Sequence, residues 1–410
     1  MLRRLDLARR SLMASGAALT MLMCGGAGSN SSEKVLYSFQ GGADGIDPES
    51  IIENKSGNFY GTTFQGGAGG ADCQNGSNGC GTVFELAADG TEKVLHSFTG
   101  GSDGTFPLSL ILEKTGDLYG TTVNGGGSTN CYEGCGTVFE LASDGTETVL
   151  HAFKGGADGG YPSTLIRDKN GDLYGTTQGG GNMADCDGYG CGAVFKLKQN
   201  GKTATVYAFQ GGTDGTNPDW LIIDSSGNLL GTTYSGGGAD CGTVFRITPE
   251  GSESVISTFQ GGSDGCNAEG LLADGSGDFY GATESGGNMA DCDGFGCGTV
   301  FELGADGTKT VLHAFTGGSD GAYPGGLILD KTGGIYGFTQ RGGTGTCKVY
   351  EGCGTVFKLA PDGTETVLFA FGGCKRGCLP GWLLKGRNGG FYGSAFGGTY
   401  KYGIVFSIKN

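Results

Sequence analysis

The sequence of 410 residues has few of the side chains on which acid–base catalysis and nucleic-acid binding depend. There are only three histidines, and His96, His151 and His313 all occupy one position of a repeated segment. Copying of this kind favours a structural role and leaves no histidine for a catalytic triad or a lyase-type base. Lysine and arginine number 26 against 42 aspartates and glutamates. The formal net charge of −16 therefore argues against a nucleic-acid partner, whose phosphates need basic residues.

The N-terminus offers one apolar stretch, residues 12–23, between four arginines and the small residues 27–29. This order is typical of an export signal, here residues 1–29, and the stretch is too short for a membrane span. Arg9 and Arg10 also fit a twin-arginine pattern, so both export routes stay open. Cys24 offers a lipid-attachment site, although Met23 stands where such sites need a small residue. We predict a secreted or periplasmic protein, with residues 30–410 as one domain and no membrane span after signal removal.

Glycine is abundant, with 90 residues, because the chain repeats one glycine-punctuated unit. A strand-like segment that ends in phenylalanine recurs at intervals of 59, 55, 56, 50, 56 and 56 residues. Such a period indicates one supersecondary unit copied along the chain. The seven copies end at Phe39, Phe98, Phe153, Phe209, Phe259, Phe315 and Phe371.

Each unit contains four short apolar runs, which we name strands A to D. In the second unit they cover residues 109–113, 117–122, 136–142 and 148–153, and they are rich in Val, Ile, Leu, Tyr, Phe and Thr. Four antiparallel strands per unit, without a helix, predict an all-β fold, a seven-bladed β-propeller. The chain opens with a strand D at residues 35–39 and closes with a strand C. We therefore expect the N-terminal strand to complete the blade at residues 381–409 and close the ring.

The repeated core also resembles a known family. It reads DGTExVLHSFxGGxDGxxP followed by DxxGxLYGTTxxGG and GTVFEL, most fully at residues 144–162 and 168–180. This pattern resembles the choice-of-anchor tandem repeat of GloVer-type bacterial surface proteins over about residues 33 to 410. The resemblance implies an exported propeller and no established activity.

Fourteen cysteines remain once Cys24 is set aside, and an even number favours disulfides in an oxidising compartment. Twelve form pairs close in sequence, while Cys241 and Cys266 lie in neighbouring loops that should emerge on one face. Zinc is the alternative, but the spacings do not resemble a closed four-ligand site. The predicted pairs are Cys73–Cys80, Cys131–Cys135, Cys186–Cys191, Cys241–Cys266, Cys292–Cys297, Cys347–Cys353 and Cys374–Cys378.

Two tryptophans are the most suggestive departures from the repeat. Trp220 and Trp382 begin strand A in blades four and seven, where the other blades carry Ser, Thr or Gly. Tyr234 and Phe396 follow strand B in the same two blades. Aromatic rings at a channel mouth stack on sugar rings or on a partner, so we predict that these four residues bind a ligand. The alternative is a packed plug of tryptophan that closes the ring.

The loops that join D to A and B to C should share one face, and carboxylates are frequent there. The aspartates of the GGxDG segments fit Asx turns before glycine. Glu284, paired with Asp240 or Asp264, is the candidate for general acid–base catalysis on a glycan. The D-x-D-G segments Asp185–Asp187 and Asp291–Asp293 resemble the beginnings of calcium loops but lack the later glutamate. No cofactor is expected, and calcium is the alternative.

These observations favour a binding or surface-interaction module over an enzyme, because no catalytic constellation is evident. The expected partner is a polysaccharide, or alternatively an envelope or extracellular protein, and the expected state is a monomer. The competing hypothesis is an extracytoplasmic glycan hydrolase or lyase that uses carboxylates on the loop face.

Overall fold

The computed structural model describes residues 32–69, 73, 79–184, 186–345, 347 and 352–409. The predicted export signal and Cys24 lie outside the described residues. Over the described ranges the chain forms 28 strands and five three-residue 3₁₀ turns, at Gly42–Asp44, Gly156–Asp158, Cys186–Gly188, Gly262–Asp264 and Cys292–Gly294. None of the helical segments in this part of the chain has the length and apolar character needed to cross a membrane.

The strands form seven four-stranded antiparallel sheets, which confirms the predicted seven-bladed propeller. Blade 1 contains β2 (Ile46–Glu53), β3 (Phe59–Gln65), β4 (Thr82–Leu86) and β5 (Glu92–Ser97); blade 2 contains β6 (Thr105–Leu112), β7 (Leu118–Asn124), β8 (Thr137–Leu141) and β9 (Glu147–Ala152). Blade 3 contains β10 (Gly160–Arg167), β11 (Leu173–Gly179), β12 (Ala193–Leu197) and β13 (Thr203–Ala208); blade 4 contains β14 (Thr216–Ile223), β15 (Leu229–Ser235), β16 (Thr243–Ile247) and β17 (Glu253–Thr258). Blade 5 contains β18 (Cys266–Ala273), β19 (Phe279–Ser285), β20 (Thr299–Leu303) and β21 (Lys309–Ala314); blade 6 contains β22 (Ala322–Leu329), β23 (Ile335–Arg341), β24 (Thr355–Leu359) and β25 (Glu365–Ala370). Blade 7 contains β26 (Cys378–Lys385), β27 (Phe391–Phe396), β28 (Ile404–Lys409) and the N-terminal β1 (Ser32–Ser38).

The ring closes as the sequence predicts. Strand β1 pairs antiparallel with β28, with Val35 opposite Phe406 and Ser38 opposite Ile404. Strands A of neighbouring blades contact one another around the ring, including β2 with β26 across the closure. The pairing therefore covers an edge of β28 that would otherwise be open.

Strand A starts nearer the loop face than the sequence indicates. In blade 2 it begins at Thr105, four residues before the predicted start, and includes Pro107. Its pairing with β7 shifts register between Pro107 and Leu110. The proline is tolerated because strand A is an edge strand of its sheet, and the register shift separates the loop end from the regular ladder.

The core lies between the blades and repeats one aromatic contact. Phe139 of β8 is fully buried and meets Phe98 edge-to-face, with ring centroids 5.1 Å apart. Gly120 of the YGTT motif faces the Phe139 ring, and a Cβ at that position would lie 2.4 Å from it. The glycine is therefore needed for close packing of strand B on strand C.

A backbone hydrogen bond ties every blade to the one before it. At the loop end of each strand A, one non-glycine residue has a left-handed φ between 51° and 63°, a conformation that costs about 1 kcal/mol or more. Its N–H donates to a carbonyl of the preceding blade at 2.8–2.9 Å, as from Tyr161 to Cys135. The seven residues are Asp47, Phe106, Tyr161, Asn217, Asn267, Tyr323 and Leu379. We call this contact the junction hydrogen bond.

The three histidines lie on outer strands D, which agrees with a structural role. The aspartate of the GGxDG segment accepts a backbone hydrogen bond four residues upstream, as from Lys154 N–H to Asp158 at 2.8 Å. His151 Nε2 lies 3.2 Å from the same carboxylate. Burial opposes ionisation of Asp158, but its contacts with His151 and Lys154 together outweigh burial and hold the pKa of Asp158 below its ordinary value. These aspartates therefore hold the D–A turns in place.

Candidate binding face

The face that carries the D–A and B–C loops is rich in exposed aromatic side chains. Eight large apolar side chains are exposed among the described residues, and seven of them lie in B–C loops. Tyr132, Tyr189 and Phe295 are the most exposed, at 64%, 65% and 71%. The other four are Met183, Met289, Tyr400 and Tyr402. Exposed apolar side chains gathered on one face indicate an interaction surface.

The loop backbone holds these rings outward. In blade 3, Tyr189 N–H donates to Cys186 O at 3.1 Å, and Tyr189 O accepts from Gly180 N–H at 2.9 Å. Blade 5 repeats both hydrogen bonds around Phe295, at 3.1 and 2.8 Å. The disulfides Cys186–Cys191 and Cys292–Cys297 close the two loops. Since the backbone is bonded on both sides, the point at which each side chain leaves the loop is well defined.

The sequence reasoning missed these residues, although a signal was present. Tyr132, Tyr189 and Phe295 each stand two or three residues before the second loop cysteine, and Tyr400 stands two residues before Tyr402, which occupies the repeat position of that cysteine. The pattern repeats in blades whose loops differ in length. This pattern is hard to recognise in the sequence, because tyrosine and phenylalanine are also common in the strands.

The two predicted tryptophans meet on the propeller axis. Trp220 in β14 and Trp382 in β26 belong to blades three positions apart, yet their ring centroids lie 6.3 Å apart. Trp382 Nε1 donates a hydrogen bond to Ile51 O of β2 at 3.0 Å. Both rings are half-buried and pack against the core. The pair therefore spans the channel, which is the geometry that the plug alternative requires.

A buried carboxylate lies next to this pair. Asp219, which precedes Trp220, is only 7% exposed. Its Oδ1 accepts from Ser163 Oγ at 2.5 Å and from Gln178 Nε2 at 3.3 Å. Thr164 and Thr176 donate to its backbone oxygen. These bonds join blade 3 to blade 4, so Asp219 is held in a polar network at the channel mouth.

Tyr234 and Glu284 are brought together at the junction of blades 4 and 5. Tyr234 Oη donates to Glu284 Oε2 at 2.5 Å, and Asn267 Nδ2 donates to Tyr234 O at 3.1 Å. The two carboxylates that we paired with Glu284 have other partners. Asp240 Oδ1 accepts from Gly236 N–H at 2.8 Å, and Asp264 forms an ion pair with Lys309 at 2.7 Å. Glu284 therefore has a tyrosine rather than a second carboxylate as its hydrogen-bond partner.

Phe396 ends strand β27 at the loop face. It is half-buried and packs against the core between blades 6 and 7, together with Leu379 and Cys374. This places it on the candidate face and partly inside the blade junction.

The proposed calcium ligands lie in the B–C loops of blades 3 and 5. Asp185 lies outside the described residues. Asp187 and Asp293 have left-handed φ values of 55° and 57°, and Asp291 Oδ2 accepts from Asn288 Nδ2 at 2.7 Å. Backbone conformation of this kind is expected of an aspartate before glycine. Calcium at these residues stays the untested alternative to the expectation that no cofactor binds.

Metal removal tests it. Because a disulfide closes each of these loops, we expect EDTA to leave the melting temperature of the oxidised protein unchanged. Differential scanning fluorimetry with EDTA, and then with added CaCl₂, measures this. A melting temperature that EDTA lowers and calcium restores would establish a calcium site.

The structure pairs all fourteen cysteines outside the N-terminal segment into seven disulfides, with the partners predicted from sequence. Six close short loops on the candidate face. Cys241–Cys266 instead connects the B–C loop of blade 4 to the start of blade 5. In blade 2, a Cβ on Gly155 would lie 3.1 Å from Cys131 Sγ, so the glycine pair after strand D makes room for the disulfide.

Comparison with known proteins supports the repeat assignment. The model of the Gloeobacter/Verrucomicrobia repeat matches residues 26–241 and 220–410. No relative is found among curated proteins.

Solved structures resemble the chain in fold. A catalytically inactive virginiamycin B lyase from Staphylococcus aureus, solved with quinupristin, has a TM-score of 0.61 at 11% identity, over 93% of this chain and 100% of the lyase. An extracellular domain assigned to a one component system of B. thetaiotaomicron has a TM-score of 0.56 at 12% identity. That match covers 91% of this chain and 39% of the other. At these identities the likeness shows the fold alone.

Proposed function

The chain belongs to the Gloeobacter/Verrucomicrobia repeat family, and on this premise we propose that it is an exported propeller that binds a neutral polysaccharide. The exposed aromatic side chains of the B–C loops carry this proposal. Tyr132, Tyr189 and Phe295 expose their side chains to solvent from three different blades. Exposure of such a surface to water is unfavourable, and the free energy falls when a flat apolar partner covers the rings.

A polysaccharide fits this surface in shape. The backbone that carries the rings is held by loop hydrogen bonds, and the rings belong to separate blades, so one extended chain can contact several of them at once. The C–H face of a pyranose ring is apolar and flat, while its rim carries hydroxyl groups. Glycine, asparagine and aspartate around the rings supply polar partners for that rim.

Charge restricts the class of polysaccharide. Glu133 stands beside Tyr132, Asp187 lies in the loop of Tyr189, and Asp291 and Asp293 lie in that of Phe295. The whole chain is acidic as well, with a formal charge of −16. Carboxylates next to the rings repel an acidic polymer, so a neutral glycan is favoured.

Export is part of the proposal. Seven disulfides are stable in an oxidising compartment and are rare in the cytosol. Residues 1–29 have the order of an export signal. An extracytoplasmic location would place the loop face where it meets polysaccharide.

The test is incubation of the oxidised protein, without residues 1–29, with a panel of insoluble neutral and acidic polysaccharides. We expect binding to a neutral one without release of soluble sugar. The triple variant Tyr132→Ala, Tyr189→Ala and Phe295→Ala should weaken this binding about tenfold or more, because exposed rings at a binding surface each contribute on the order of 1 kcal/mol.

A matched control is Val255→Ala, which removes an exposed apolar side chain from the outer strand β17 instead of the loop face. It should bind as the parent protein does. Equal loss in both variants, or binding that survives in the triple variant, would remove the loop aromatics from the proposal. Failure to bind any glycan would favour an envelope or extracellular protein as partner.

The competing function is a glycan hydrolase or lyase, and the hydrogen bond between Tyr234 and Glu284 is the observation that favours it. A tyrosine hydroxyl beside a carboxylate can exchange a proton with it during catalysis. Release of soluble oligosaccharide in the same incubation, abolished by Glu284→Gln, would establish this function in place of the binding module.

A further inference from the structure

Four cysteines lie together at the junction of blades 6 and 7. Cys347 and Cys353 form a disulfide in the B–C loop of blade 6, and Cys374 and Cys378 form one in the D–A loop that enters blade 7. Sγ of Cys347 lies 3.4 Å from Sγ of Cys374, although the two atoms belong to different disulfides. The sulfurs of Cys347, Cys374 and Cys378 all lie within 4.8 Å of one another.

The junction of blades 4 and 5 shows how two of these cysteines can pair differently. Cys353 and Cys241 occupy the same repeat position, since each is followed by Gly-Thr-Val-Phe. Cys378 and Cys266 are also equivalent, since each is the first residue of strand A. Cys241 and Cys266 form a disulfide with Cα atoms 4.3 Å apart. The equivalent disulfide at the second junction would join Cys353 to Cys378.

The backbone at the two junctions has the same arrangement. Asn267 N–H donates the junction hydrogen bond to Cys241 O at 2.8 Å, and Leu379 N–H donates to Cys353 O at 2.8 Å. The other blades begin strand A with Ile, Thr, Gly or Ala instead of cysteine. Only these two junctions therefore have cysteine on both sides.

We infer that Cys347, Cys353, Cys374 and Cys378 form a thiol–disulfide exchange site with two pairings. In the first, each disulfide stays within its own loop, as in the structure. In the second, Cys353–Cys378 and Cys347–Cys374 both connect blade 6 to blade 7. The co-reactant is a thiol, either a small molecule or the active-site cysteine of an oxidoreductase.

The exchange needs thiolate as a catalyst and no net oxidant. An external thiolate attacks Cys347 Sγ, forms a mixed disulfide and releases the Cys353 thiolate. Cys353 attacks Cys378 Sγ and releases the Cys374 thiolate. Cys374 then attacks Cys347 Sγ, at the separation of 3.4 Å seen in the structure, and expels the external thiolate. Two disulfides are present at the start and two at the end, and the external thiol is regenerated.

Burial decides where the reaction begins. Cys347 and Cys374 are half-buried, while Cys353 and Cys378 are fully buried. An external thiol therefore reaches the outer pair first, and the inner pair reacts only by exchange within the cluster. The second pairing would add covalent links between blade 6 and blade 7, whose outer strand β1 is held by noncovalent contacts such as its hydrogen bonds with β28 and the ion pair of Glu33 with Arg376.

Peptide mapping distinguishes the two pairings. Trypsin separates the four cysteines into peptides 342–348, 349–358, 359–375 and 377–385. The first pairing links 342–348 to 349–358 and 359–375 to 377–385; the second links 342–348 to 359–375 and 349–358 to 377–385. We expect the second set to appear after incubation of the oxidised protein with glutathione, followed by alkylation and digestion. A map that shows only the first set at every time would overturn the exchange site.

Two double variants sharpen the result. Cys347→Ala with Cys374→Ala leaves Cys353 and Cys378, which should pair with each other, so that no free thiol is added and peptide 349–358 is linked to 377–385. Cys131→Ala with Cys186→Ala leaves Cys135 and Cys191 at different junctions, and both should stay free. Two free thiols in the first variant would contradict the inference. If that variant does not fold, the peptide map of the unaltered protein still shows whether the second pairing forms.

Discussion

Replacing Trp382 with alanine is expected to lower the free energy of unfolding by about 3 kcal/mol. The indole packs against the core between blades 7 and 1, touches Trp220 across the axis and donates a hydrogen bond to Ile51 O. Its removal leaves a cavity beside the ring closure and an unpaired carbonyl on β2. Urea denaturation under non-reducing conditions measures the change.

Trp382→Phe separates packing from hydrogen bonding. Phenylalanine keeps most of the apolar contact and removes the indole N–H, so a loss of about 1 kcal/mol is expected. Polysaccharide binding should survive in both variants if the tryptophans form a plug. Unchanged stability of Trp382→Ala together with lost binding would instead establish the ligand-binding role that the sequence predicts for Trp220 and Trp382.

The propeller is expected to melt at a higher temperature near pH 5 than near pH 8. Burial, with a neighbouring aspartate adding to it, raises the pKa of Glu92, Glu253 and Glu365 from the ordinary 4.5 to about 7. The folded protein therefore binds more protons than the unfolded chain between about pH 4.5 and 7. Stability from these groups is complete below that window and is lost as the pH rises through about 7.

Burial is the main cause, and each of these glutamates also begins an outer strand beside the aspartate of a D–A turn. Glu92 lies within 3.5 Å of Tyr37 Oη, which donates to Asp44 at 3.0 Å, and no lysine or arginine takes part in the described contacts of this group. In blade 5 the first residue of the outer strand is Lys309, which forms an ion pair with Asp264. We do not expect this contact to destabilise the fold at neutral pH.

A second group of carboxylates limits the effect in acid. Burial opposes ionisation of Asp103, Asp158 and Asp320. Hydrogen bonds together outweigh burial and hold the pKa of each aspartate below its ordinary value, and the bond with histidine is the largest of these contributions. Their contribution is lost as the pH falls below about 4, so the melting temperature should pass through a maximum near pH 5.

Substitution tests the assignment. The triple variant Glu92→Gln, Glu253→Gln and Glu365→Gln keeps the neutral form at every pH, so its melting temperature at pH 8 should rise toward the value that the parent protein has at pH 5. Thermal melts from pH 4 to pH 9 measure both proteins. A pH profile that is the same in both would show that other groups control the dependence.

The blade architecture could be predicted because its signals are local and repeated. Seven copies of Phe at the end of strand D, and of glycine opposite the Phe of strand C, identify the repeat. The strand D at the N-terminus and the missing strand D at the C-terminus predict the ring closure. The start of strand A could not be predicted from propensity, since Pro107 and a register shift lie inside it.

Only part of the candidate site could be predicted from the sequence. The sequence singles out Trp220 and Trp382, but they are 162 positions apart and meet only because both strands line one axis. The sequence gives little reason to pair Glu284 with Asp240 or Asp264, because carboxylates are abundant in this chain. In the structure its hydrogen-bond partner is Tyr234. Exposure of Tyr132, Tyr189 and Phe295 depends on loop hydrogen bonds and could not be read from residue type.

The sequence by itself therefore determined the number of blades, the closing strand and the cysteine partners, because each follows from a motif at a fixed repeat spacing. Tertiary structure alone decided which side chains from different blades meet on the axis, which rings face solvent and which two disulfides touch. Those contacts depend on the curvature of the closed ring, and no local pattern of residues encodes that curvature.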